Sequence, residues 1–313
     1  MNEIIKHNQR SYWMGWAMIF IILCHIQYTC FDGSIIMIIM QSIFIKGEFG
    51  VDVFLFLSII GLCYSIENHG LIDFYTNRAK RIFPMYFIFL FFSFLFYKSA
   101  DNILIDIIYQ ISGLAIFTGN KLEEWYIPAT ITLYLSFPLL FYFIKKLYQK
   151  NIIYCILLII LLIYVYPVTK LIVIHFFARR LYLIPLGITI YLSHTRNSGI
   201  NIIVLLSFVA LLQLFIPLKY AAYLYVPLLL VLFDMYLKKL PLYKFTSWIG
   251  RHSLEIYLGQ TLGFIFFCNQ VNFNPTKKII MGSIITITSS IIMYWGHSLF
   301  LKTIKRKGKQ AYK

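Results

Sequence analysis

His25 lies deep in the apolar stretch "MIFIILCHIQYTC". Imidazole is the one side chain whose ordinary pKa falls near neutral pH, so a histidine at this depth suits a general base or an acyl carrier. It equally suits a hydrogen bond to a neighbouring helix. Asp52 opens the next apolar stretch, after "GEFG", one helical turn beyond Glu48. A carboxylate there caps a helix and gains from its dipole, or it orients an imidazole or grips a sugar hydroxyl. Ser58, farther along, is expected to bond back to its own helix. In "FYTNRAKRIFPMY", Arg78 and Arg81 stand three apart and so share a helical face, with Lys80 beside them and Pro84 opening the apolar run that follows. Such residues are ordinary topology signals, and two guanidinium forks also suit a phosphate-rich ligand. Glu123, Glu124 and Trp125 sit at a further boundary, where a tryptophan anchors a helix at the membrane interface. Arg179 and Arg180 interrupt a later apolar run. Glu255 and Gln260 enter another in "WIGRHSLEIYLGQT", where the acid is expected to pair with Arg251, His252 or an arginine of another helix.

The elements that must hold these residues are membrane helices. The chain has 313 residues, 60% of them hydrophobic and only 13% charged, and its mean hydropathy is +0.77. That composition excludes a soluble domain and predicts an all-α, polytopic integral membrane protein. Runs of about 17 to 25 uncharged residues place spans at 13–31, 50–67, 82–97, 125–144, 152–168, 172–192, 200–217, 220–237, 253–271 and 279–301, about ten in all. With both termini cytoplasmic, the basic clusters at Arg78–Arg81, Lys145–Lys150, Lys238–Arg251 and the tail 302–313 all fall inside. Ile103 to Phe117 would invert every later loop if it spanned, and is read as a short re-entrant or interfacial helix.

The formal net charge of +16 follows from these loops facing anionic lipid, and no nucleic-acid groove is implied. Five cysteines are scattered without metal-ligand spacing and read as small buried hydrophobes. The first apolar run carries no cleavage signal and reads as an uncleaved span. Residues 1–313 form one integral domain, with 302–313 a basic cytoplasmic tail.

These stretches, taken in order, resemble the acyltransferase 3 family of bacterial integral membrane O-acyltransferases. The resemblance rests on "GWAMIFIILCH" ending at His25, "GVDVFLFLS" from Gly50 to Ser58, "RAKRIFPMY" from Arg78 to Tyr86, "WYIPATITLYLSFPLL" from Trp125 to Leu140, and "GRHSLEIYLGQT" from Gly250 to Thr261. Three positions depart from the pattern. Met14 stands where many members carry a basic residue eleven positions before the histidine, so any role of that charge is either missing or moved to Arg10. Ile59 follows Ser58 in place of the usual glycine, and Gln260 replaces the histidine that closes the late motif.

The resemblance implies transfer of an acyl group, acetyl most often, from acyl-coenzyme A to a hydroxyl of a cell-surface or exported glycan. It makes His25 and Asp52 the catalytic candidates and Arg78 and Arg81 the donor-binding pair. Trp125, Arg180, Glu255 and Gln260 are the substrate-binding candidates. No metal or bound cofactor is expected. The partners are acyl-CoA, a glycan or lipid-linked sugar acceptor and the bilayer, and the location is a bacterial inner membrane. An exporter of a glycan or lipid-linked sugar is the alternative, since interior acids serve that class too, but neither an inverted repeat nor a pair of broken helices stands out.

Overall fold

The computed structural model describes residues 7–30, 44–96, 103–118, 125–169, 175–196, 201–215, 224–236 and 242–310, and among these every regular element is helical. The principal helices are α1 (His7–Cys30), α2 (Phe49–Asn68), α3 (Leu71–Phe96), α4 (Ile103–Ser112), α5 (Tyr126–Lys150) and α6 (Ile152–Thr169). They continue with α7 (Leu183–Thr195), α8 (Ile202–Leu211), α9 (Val226–Tyr236), α10 (Tyr243–Arg251), α11 (Ser253–Gln260) and α12 (Pro275–Gln310).

Among the described residues, three helical stretches, Lys46–Asn68, Tyr126–Lys150 and Pro275–Ile304, are long and apolar enough to cross a membrane, and four shorter apolar helices accompany them. Their burial sorts them. In the most apolar window of Lys46–Asn68 78% of residues are buried, against 22% for Pro275–Ile304, so α2 is the hub and α12 the rim. A hub helix must be apolar all round, and α2 is.

α1 packs against α2, α10, α11 and α12. Small residues bring helices close where no water drives them together. A Cβ on Gly259 or Gly263 would strike Ser290 and Gly282 of α12, so α11 and the π-helical stretch Thr261–Phe267 that prolongs it lie directly on that helix.

Two details differ from the sequence reading. Pro84 sits inside α3 rather than opening it, so Arg78 and Arg81 are full members of that helix. The missing proline N–H is tolerated because partners in the bundle can re-satisfy the freed carbonyl. Residues 172–192 are not one helix: a single turn, His175–Ala178, is followed by non-helical turns at 179–182 before α7 starts. Both arginines sit in that break. α10 and α11 are separate helices divided at His252, so α11 starts at Ser253, where the sequence places the start of a span. The stretch near Ile103 forms α4, which rises about 15 Å, half a bilayer core. It ends at Gly113, whose φ of +79° only glycine adopts freely, while Tyr86 donates from its hydroxyl to buried Gln110 at 2.7 Å.

Candidate active site

A cleft lies between α1, α2, α3, α5 and α11, lined along α1 from Arg10 to Ile21. Its volume is about 700 Å³ with its mouth included. Three guanidiniums line it: Arg10 from α1, and Arg78 and Arg81 from the shared face of α3. Among the described residues no carboxylate lies within ion-pair distance of any of them. Arg78 is held between the rings of Phe74 and Tyr134, at 5.5 and 5.6 Å, and its buried Nε has no hydrogen-bond partner. Arg10 lies across α2 at Gly61, where a Cβ would occupy the space of the guanidinium. Burial, then the charges of Arg81 and Arg78, push Arg10 well below the ordinary guanidinium value, to about 10, against the opposing effect of Tyr134. Burial lowers Arg78 as well. Like charges gathered without a counterion are costly, and the cost falls when an anion enters.

One feature of this cleft departs from the sequence reading. Ser58 lines it and makes no bond back to its helix. Arg10, one turn before Met14, restores a positive charge to the face of α1 where Met14 has none, since both residues line the cleft.

Ile21, on that same face, also lines the cleft, and His25 is the next turn. From Arg10 to His25 the helix rises about 22 Å. His25 Nδ1 lies 2.6 Å from Gln260 Oε1. The neighbouring bonds settle which atom donates. Thr261 donates its hydroxyl to the carbonyl of Tyr257 at 2.9 Å and accepts from Gln260 Nε2 at 3.3 Å. The amide oxygen of Gln260 therefore faces the imidazole, Nδ1 carries the proton, and Nε2 holds the basic lone pair.

Asp52, offered by the sequence as an orienter of that imidazole, is engaged elsewhere. It is wholly buried, and Arg180 Nη2 donates to its Oδ2 at 3.2 Å. The same nitrogen lies 3.4 Å from the carbonyl of Glu48, and Arg179 pairs with the Glu48 carboxylate at 2.7 Å. Trp125 is more than an anchor, because the guanidinium of Arg180 lies 5.8 Å from the centre of its ring. Two interruptions of the helical path, the 3₁₀ turn Ile45–Glu48 and the break at 179–182, thus meet in one ion-pair network. Cys24, beside His25, is within electrostatic reach of both Glu48 and Arg180. His25 thus follows Ile21 of the arginine cleft by one helical turn and adjoins Cys24, which lies by Glu48.

Glu255 does not join the site. Ser253, Leu254 and Tyr257 of α11 face the arginine cleft, while Glu255 and Ile256 face a separate groove against α12. There Glu255 Oε1 lies 3.8 Å from His252, one of the partners expected for it. Glu123 and Glu124 lie outside the described residues. Among the described residues no three metal-ligating side chains gather, and Cys24, Cys63, Cys155 and Cys268 are buried and not in disulfides.

A bundle of apolar helices that holds an oriented histidine, a cleft of unneutralised guanidiniums and a buried carboxylate network has the parts of a membrane-embedded group-transfer enzyme. The match to known families is specific. The acyltransferase domain of the acyltransferase 3 family matches residues 12–295, nearly the whole chain, and the protein belongs to that family. Comparison with curated proteins gives no match, and comparison with solved structures gives none.

Proposed function

We propose that the protein is a multi-pass O-acyltransferase of a bacterial inner membrane, moving an acyl group, acetyl in the first instance, from acyl-CoA to a hydroxyl of a cell-surface or exported glycan. In this reading the chain crosses the membrane about ten times, with both termini in the cytoplasm. The arginine cleft then opens to the cytosol, where acyl-CoA is made. Arg10, Arg78 and Arg81 take the donor phosphates. The rise of about 22 Å from Arg10 to His25 is on the scale of the pantetheine arm that separates those phosphates from the thioester.

At the far end, His25 Nε2 accepts the proton of the acceptor hydroxyl as its oxygen attacks the thioester carbonyl. The new C–O bond forms, the C–S bond breaks, and the imidazolium returns the proton to the departing thiolate. A two-step variant passes the acyl group through Nε2. The Glu48, Asp52, Arg179 and Arg180 network, with Trp125, borders the acceptor side, where carboxylates and an aromatic ring suit sugar hydroxyls and a sugar face. The single observation that supports this reading most is that one face of α1 carries both the unneutralised Arg10 and a histidine whose Nε2 is the basic nitrogen.

Mass spectrometry of surface glycans from cells with the gene, without it, and complemented by His25→Ala tests the reading. Loss of an O-acyl mass increment, restored by wild type and not by His25→Ala, is the expected result. A change in glycan amount or chain length at constant acylation would favour the exporter. The helix break at 179–182 is a feature that class uses, but the exporter gives no role to three arginines aligned with a basic imidazole.

A further inference from the structure

On the side of α1 away from the arginine cleft, a second groove runs between α1, α2 and α9, with a volume of about 1000 Å³ including its open side. Trp13, Trp16 and Phe20 form one wall, and Leu229, Leu230 and Phe233 the other. Leu229 and Phe233 stay exposed at its rim, at 37% and 45%. The groove follows α9 for about 12 Å and is apolar along that length. Its two ends differ. At the α1 N-terminal end it closes where Trp13 donates to Asp234 at 2.9 Å. At the other end stand Lys46, exposed and without an acidic partner among the described residues, and Phe49 and Val53, the chain neighbours of Glu48 and Asp52. The groove therefore ends beside the Glu48 and Asp52 network, on the acceptor side of His25.

We propose that this groove binds the single hydrocarbon chain of a lipid-linked acceptor, with the phosphate that joins lipid to sugar at Lys46 and the sugar on the Asp52 side. The proposal rests on the acyltransferase reading for the identity of the sugar site and narrows the acceptor to a membrane-borne phosphate-linked sugar. Three features choose this occupant. The apolar walls exclude a free polysaccharide from the groove itself. The lone ammonium at the end nearest the network complements one phosphate rather than a neutral head. Continuity along Phe49 and Val53, next to Glu48 and Asp52, brings whatever is attached to that phosphate to the carboxylates instead of into lipid.

The full chain in nanodiscs is photolabelled with a diazirine-bearing prenyl phosphate, with the matching prenyl alcohol and a diazirine phosphatidylglycerol as the other arms, and labelled peptides are mapped by mass spectrometry. The expected result is labelling of α9 and of the Trp13–Phe20 segment by the phosphate at least fivefold above either control. Lys46→Glu and the groove-filling Leu229→Trp should each abolish the excess, and Lys46→Arg should keep it, with thermal unfolding of all three matching wild type. Equal labelling by the alcohol or the phospholipid, labelling away from the groove, or an unchanged Lys46→Glu protein would overturn the proposal. Labelling needs no acyl transfer, so CoA release from acyl-CoA, measured separately, shows whether the acyltransferase reading has failed instead.

Discussion

Gln260 holds His25 through its amide oxygen, 2.6 Å from Nδ1, while its amide nitrogen is spent on Thr261. A neutral amide thus does what a carboxylate does for many catalytic imidazoles: it fixes tautomer and ring orientation. Gln260→Leu should lower kcat by about 10- to 100-fold while leaving KM for acyl-CoA within about twofold, because the proposed phosphate site at Arg10 lies about 22 Å along α1. Gln260→Asn, too short to span the gap, should behave alike. Steady-state CoA release over a range of donor concentrations separates kcat from KM. A rise in KM at constant kcat would remove the orienting role.

The arginine cleft predicts opposite effects on binding and stability. Arg10→Gln removes a charge-assisted contact of about 1.5–3 kcal/mol, so KM for acyl-CoA should rise by about tenfold or more. The ligand-free protein should unfold at a higher temperature, because the substitution removes repulsion from Arg81 and Arg78. The pH dependence has a definite sign. Folded Arg10 titrates near about 10, below the ordinary guanidinium value, so between those values the unfolded chain holds the extra proton and stability rises with pH. At neutral pH the whole penalty is present, and it is relieved by an anion. Thermal unfolding with and without CoA, for wild type and Arg10→Gln, measures this. Equal stabilisation of both by CoA would refute it.

The site was legible in the sequence to the extent that its residues share an element. Arg78 and Arg81, three apart, needed only helical periodicity to be placed together, and Arg10 to His25 follows one face of one helix. Contacts between elements were not legible. Asp52 and Arg180 are 128 positions apart, and nothing local says that a carboxylate at a helix start will meet a guanidinium rather than an imidazole. Ser58 carried no signal, since a serine in an apolar helix looks the same whether it bonds its own backbone or faces a cleft. Glu255 was assigned to the site because it neighbours residues that are in it, and a shift of a residue or two around α11 turns a side chain to the other groove. Hydropathy likewise joined 172–192 into one span, because averaging over a window hides a break at two arginines.

Gly61 tests the cleft without removing a charge. Any side chain there would take the space of the Arg10 guanidinium, so Gly61→Val should mimic Arg10→Gln in raising KM for acyl-CoA by about tenfold. Gly61→Val with Arg10→Gln should be little worse than either alone, because both act on one contact. Additive losses would mean that Gly61 serves helix packing rather than Arg10.

The Asp52 and Arg180 pair is buried at 0% and 1% exposure, which makes single and double replacements behave differently. Removing one partner leaves an uncompensated buried charge and typically costs about 3–5 kcal/mol. Asp52→Asn and Arg180→Leu should therefore each lower the unfolding temperature, and Arg180→Leu should also remove the stacking on Trp125. Asp52→Asn with Arg180→Leu leaves no stranded charge and should recover much of the stability. Acyl transfer should not recover with it, because the acceptor side would have lost its carboxylate. Stability and transfer returning together in the double variant would mean that the pair only holds the helix break at 179–182 in place, and that the acceptor hydroxyl is gripped elsewhere.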